Sequence, residues 1–166
     1  MNVLFESILV SDLQMSSTDF SAEYLSLRSA NDLVREKGKQ WIFETLSALC
    51  SEAGPEAILG RQDWQFEVGR SVMVGERFGI RHQGRTLVVE IGWPREPAHG
   101  FVPDQGLARG RISLSASPML SPRLQEEIIL KTGNPDPRWY LIDAGKVGVE
   151  FDVESLRRHI RAMLAA

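Results

Sequence analysis

Between Glu76 and Trp93 the chain reads ERFGIRHQGRTLVVEIGW, and no other segment constrains the fold as much. Apolar residues recur at every second position on both sides of Gln83-Gly84, the pattern of two strands joined by a tight turn. If His82 faces Arg85, then Ile80 faces Leu87 and Phe78 faces Val89 on one face. On the other face Arg77 falls opposite Glu90, and Arg81 opposite Thr86. One register satisfies both faces, and a one-residue slip would spoil both. The Arg77–Glu90 pairing also accounts for Glu90 as a solvated residue of the sheet's polar face.

Upstream the period is helical. Leu33, Val34, Lys37, Trp41, Ile42, Thr45, Leu46 and Leu49 share one face of a helix expected over 29–53. Ser29 can cap its start and Gly54-Pro55 ends it. Gly38 lies inside and costs about 1 kcal/mol relative to Ala, a cost with no local explanation. Before it, Leu4, Phe5, Ile8, Leu9 and Leu13 have roughly helical spacing, and the polar stretch QMSSTDFS follows. The expected organisation is an apolar N-terminal arm and linker over 1–20, then a single α+β domain over 21–166.

Downstream, Trp64, Phe66 and Val68 alternate with polar residues and are expected to turn toward the core, on the same apolar face as Phe78. RISLSA is another strand, with Ile112, Leu114 and Ala116 on one face. Ser121-Pro122 reads as the start of a short middle helix that buries Leu124, Ile128 and Ile129 and ends at Gly133. RWYLID and VGVEF pair across AGK, and Asp152 caps a last helix with Leu156, Ile160, Met163 and Leu164 inward. The expected fold is α+β, with a mostly antiparallel sheet of about five to six strands, a long helix in the N-terminal half, a short middle helix and a C-terminal helix. The element order is loosely similar to that of small acidic secretion chaperones, a likeness of topology that implies no function.

The 166 residues suffice for one core. The formal charge of −3 gives no support to generic polyanion binding. The lone Cys50 excludes an internal disulfide, and a cytoplasmic location is expected. No apolar run reaches the ~18 residues a membrane span needs, and the first basic residue is Arg28, so neither a membrane segment nor a secretory signal is expected. There is no phosphate-binding glycine motif, no G-x-S-x-G and no closely spaced histidine pair. No cofactor and no metal are therefore expected.

One long loop gathers chemistry. Residues 93–109 hold Pro94, Pro97 and Pro103 together with Trp93, Arg95, Glu96, His99, Asp104 and Arg109. The binding candidates are Trp93, Arg95, His99, Asp104 and Arg109. The catalytic candidates are His99 with Glu90 or Glu96, an acid–base pair beside an arginine anion clamp. Such loops are often functional, but Phe101 and Val102 can equally pin this one to the sheet as a plain crossover. The leading expectation is a small cytoplasmic, non-enzymatic binding or adaptor protein. It would meet a protein partner, or a second copy, through the N-terminal arm or a sheet face. A small enzyme using the loop is the alternative. Nucleic-acid binding through Arg77 and Arg81, with Arg70 and Arg85 near, ranks last because the sequence pI is about 5.7, and the aromatic residues are expected on the opposite face, the wrong one for stacking.

Overall fold

The computed structural model describes the backbone of residues 2–165 and the side chains of residues 22, 23 and 25–165. The apolar residues at Leu4, Phe5, Ile8, Leu9 and Leu13 lie outside the described side chains. The chain forms two compact units, Met1–Leu33 and Val34–Ala166. A single helix, α1, runs from Asn2 to Ala53, so Ser29 stands within it and does not cap its start. In the first unit Leu25 and Leu27 are exposed, as is Leu33 at its end.

The second unit carries seven strands: β1 (Ile58–Val68), β2 (Ser71–His82), β3 (Arg85–Trp93), β4 (Ala108–Ser115), β5 (Arg123–Lys131), β6 (Arg138–Asp143) and β7 (Lys146–Phe151). Helix α2 (Val153–Ala165) follows. The strands form one antiparallel sheet in chain order, an uninterrupted meander. The expected α+β fold with an antiparallel sheet is present, and the sheet has seven strands instead of the expected five to six. The β2–β3 register is the one the sequence implies, from His82 opposite Arg85 to Arg77 opposite Glu90. Gln83 and Gly84 both take positive φ, as a tight hairpin turn of that hand requires.

The expected middle helix is strand β5. Ile128, Ile129 and Leu130 are all fully buried in succession. Ile128 and Leu130 point to the helix side while Ile129 points to the other, so the run is apolar on two faces and loses its alternation. The only helical turn in mid-chain among the described residues is a 3-10 turn at Pro97–His99.

Residues 34–53 of α1 and helix α2 pack on one face of the sheet. Ile42, Leu46, Leu49, Leu156, Ile160 and Met163 meet Phe78, Ile80, Val89, Ile91, Ile112 and Leu130 there. Glu76 points to this same side. Burial pushes its carboxyl up, but Lys39 at 2.8 Å and Arg61 at 2.7 Å outweigh that and hold it below its ordinary value. Cys50 is buried in this core, where desolvation pushes the thiol up and leaves it a packing residue.

Asp152 caps α2 as its position implies. Its Oδ1 accepts the Ser155 N–H at 3.0 Å, and the Ser155 hydroxyl accepts the Asp152 N–H at 3.2 Å. Asp152→Ala is expected to cost about 1 kcal/mol. The Ser155 backbone hydrogen bond holds the Asp152 carboxyl below its ordinary value. The contribution is thus present above the unfolded-state pKa and lost as pH falls through the lower folded-state value. Denaturant titrations from neutral to acid pH should show wild type and variant converging at the acid end.

Candidate functional site

The 93–109 residues do not converge. Trp93 faces the helix side at 1% exposure, with the Arg95 guanidinium 3.8 Å from its ring centroid and Lys39 at 5.6 Å. Arg95 Nε–H donates to the Val74 carbonyl at 3.1 Å. His99 Nδ1 accepts the backbone N–H groups of Arg95 and Glu96, each at 3.2 Å, so the imidazole holds the turn in shape. Among the described residues no carboxylate is paired with the His99 imidazole; the exposed Glu96 carboxylate accepts the His99 backbone N–H instead. Glu90 lies on the opposite face of the sheet, where its carboxylate accepts from Arg111 Nε at 2.8 Å.

Arg109 is also on that outer face, 6% exposed, with Glu127 at 3.7 Å. Burial pushes its guanidinium down, opposed by the charges of Glu127 and Asp104. The Asp104 carboxylate is exposed, and the residue's carbonyl accepts from Lys131 at 2.8 Å. The loop is fastened along its length. Phe101 N–H donates to Ser71 Oγ, Arg35 Nε–H to the Leu107 carbonyl, and Leu107 N–H to the Leu130 carbonyl. A Cβ at Gly106 would strike Ile129. The Phe101 side chain is 72% exposed, so its backbone and half-buried Val102, not its ring, hold the loop down.

The outer face holds what the sequence reading placed elsewhere. Trp64 pairs with Gly75 and Phe66 with Met73, whereas Phe78 and Ile80 belong to the other parity of β2. Trp64 and Phe66 therefore face away from the helices. The residues do share one face, as alternation requires, but it is the face of Arg77 and Arg111. The Arg77 guanidinium stacks on Trp64 at 4.8 Å and Arg111 on Phe66 at 4.7 Å. Glu90 sits between the two arginines in register but bonds Arg111, so the expected Arg77–Glu90 ion pair does not form. Among the described residues neither Arg77 nor Arg81 has a carboxylate partner.

Beside them lies a trough of about 330 Å³, lined by Gly60, Arg61, Gln62, Arg77, Gly79, Arg81, Thr86 and Val88. It exists because two facing residues lack side chains. A Cβ at Gly60 would meet nothing within 4 Å, and one at Gly79 nothing closer than 3.9 Å. The result is a narrow floor flanked by two guanidinium groups with free N–H edges, suited to carboxylate or phosphate oxygens.

A larger groove of about 550 Å³ lies on the helix side, floored by Trp41, Trp139 and Phe151. Its charged rim is already neutralised, Lys37 by Asp136 at 2.5 Å and Arg138 by Glu150 at 3.2 Å. The groove offers an anion no free cation, since its remaining charge is the Glu44 carboxylate, which accepts from Gln40 at 3.1 Å, so the trough is the stronger anion site. Among the described residues no three His, Cys, Asp or Glu side chains gather where a metal ion could sit, and no helix is long and apolar enough to cross a membrane. Comparisons of the chain with protein-family models, with curated proteins and with solved structures find no match, so the site's geometry alone carries its reading.

Proposed function

We propose that the chain is a small cytoplasmic, non-enzymatic binding or adaptor protein, and that its outer sheet face takes an extended acidic segment of a partner protein. The observation that carries this is the pair Arg77 and Arg81, free of carboxylates and flanking a glycine-floored trough on a face that neither helix of residues 34–166 covers. A guanidinium stacked on an indole keeps its N–H edge available, so the Arg77–Trp64 stack presents a donor in a fixed direction. A second reading, single-stranded nucleic acid, is favoured by one fact: Trp64 shares the face of both arginines. Against it, Phe66 is only 5% exposed and Glu90 and Glu127 stand on the same face.

Fluorescence anisotropy with a Glu/Asp-rich peptide and with a single-stranded oligonucleotide separates the readings. The peptide is expected to bind, and Arg77→Glu with Arg81→Glu to weaken it at least about tenfold, since each charge-assisted contact contributes about 1.5 kcal/mol or more. Binding of the oligonucleotide alone, with a steep salt dependence, would transfer the site to nucleic acid. Binding of neither probe would retire the site.

A further inference from the structure

We infer that β1 is a self-association edge: two copies pair β1 antiparallel about Gln62, and each sets its Trp64 indole into the other's Gly60–Gly79 trough. The inference goes beyond the acidic-segment reading and does not depend on it.

β1 ends the sheet, and within residues 34–166 no strand pairs with its outer edge. It is 11 residues long, and its register with β2 runs through every pair from Ile58 to Val68 without a shift. Strands average about five or six residues, and a long, straight, open edge is a template for another strand. The other edge, β7, is different. It has 6 residues, and the register shift against Tyr140 and Ile142 flips the facing of its side chains partway along. That irregularity spoils an edge for pairing.

A two-fold axis through Gln62 places residues directly opposite one another on a common face. On the helix side, Arg61 then meets the second copy's Asp63, and Asp63 meets its Arg61. Among the described residues the exposed Asp63 has no partner, while Arg61 holds Glu76 through Nε and Nη2, lies 4.2 Å from the Phe43 ring centroid, and has no hydrogen-bond partner at Nη1. On the outer side Ile58, 64% exposed, meets Phe66, and Trp64 stands over Gly60. Within one chain Trp64 already lies opposite a glycine, Gly75, so the same fit is repeated across the axis. The incoming indole enters the open space that Gly60 and Gly79 leave between Arg77 and Arg81.

Neighbouring registers fail. An axis through Asp63 sets like carboxylates face to face, and one through Arg61 sets like guanidiniums face to face. An axis through Trp64 leaves Ile58 uncovered and sets Val68, not the indole, over Gly60.

Sedimentation velocity of the full chain should show a dimer. Asp63→Arg and Gly60→Leu should each weaken it at least about tenfold with unchanged thermal unfolding, since Asp63 has no partner to lose and Gly60 has room for a side chain. In a Cys50→Ser background, Gln62→Cys should form an intermolecular disulfide on mild oxidation, because directly opposite Cα atoms lie within bridging distance. A monomeric wild type overturns the inference. So does a dimer untouched by both substitutions, or one cross-linked by Trp64→Cys and not by Gln62→Cys. The acidic-peptide titration with Arg77→Glu and Arg81→Glu is read separately, so failure of one leaves the other standing.

Discussion

Gly38→Leu is expected to destabilise the protein by about 3 kcal/mol, although helix propensity alone points the other way. Replacing a mid-helix glycine by leucine should stabilise an isolated helix by nearly 1 kcal/mol. Here a Cβ at position 38 would lie 2.6 and 2.7 Å from the two terminal carbons of Leu130. Leu130 is fully buried in β5, between Ala108 and Trp139, so it has nowhere to turn. The helix cannot back away either. The Gly38 carbonyl accepts the Trp139 Nε1–H at 3.1 Å, and withdrawal would leave a buried indole donor unpaired, a cost of about 1–3 kcal/mol. Urea unfolding followed by tryptophan fluorescence measures the loss. A variant as stable as wild type would mean that α1 does not seat on β5 at this glycine.

That glycine shows where sequence reading stops. Its cost was legible, but its cause lies in Leu130 and Trp139, far along the chain. The register of the Gln83-Gly84 hairpin was legible in full, because each residue's partner sits on the adjoining strand and both faces test the same register. Strand β5 was not. Leu124 and Ile128 are four apart, which suits a helix, and a strand buried on both faces carries no alternation to contradict it. At Trp64 and Phe66 the parity was readable and the side was not. Alternation says which residues share a face, but only the pairing with β2 says which face. A sheet with apolar residues on both sides defeats the assumption that every aromatic turns to one core. Glu90 failed for a related reason. It has a basic neighbour on each side, Arg77 and Arg111, and the carboxylate goes to the one on β4. The candidate site was thus half visible: its arginines could be read, but the trough between them and the stacked Trp64 could not.

Two glycines on one face of β2 should behave oppositely, and the contrast tests that face. Gly75→Ala is expected to cost at least about 3 kcal/mol. A Cβ there would run into the Ile91 carbonyl oxygen and lie 2.8 Å from the Gly92 Cα. Both obstacles are backbone, so no rotamer change relieves them and the strands themselves must part. Gly92 faces Gly75 across the pair and is also tight, with Val74 backbone atoms 3.0 Å from its own Cβ position. Gly79 lies four residues on, on the same side, where a Cβ meets nothing nearer than 3.9 Å. Gly79→Ala is expected to be neutral or slightly stabilising, because alanine loses less backbone entropy on folding. Its methyl would project into the trough, however, and should weaken whatever lies there. Chemical denaturation of the two variants, with the anisotropy and sedimentation assays run on Gly79→Ala, separates packing from recognition. A Gly75→Ala protein as stable as Gly79→Ala would show that β2 and β3 do not approach at Gly75 as closely as this register requires. A Gly79→Ala protein that is stable and also binds and associates as wild type would show that the open floor between Arg77 and Arg81 is not a surface the protein uses.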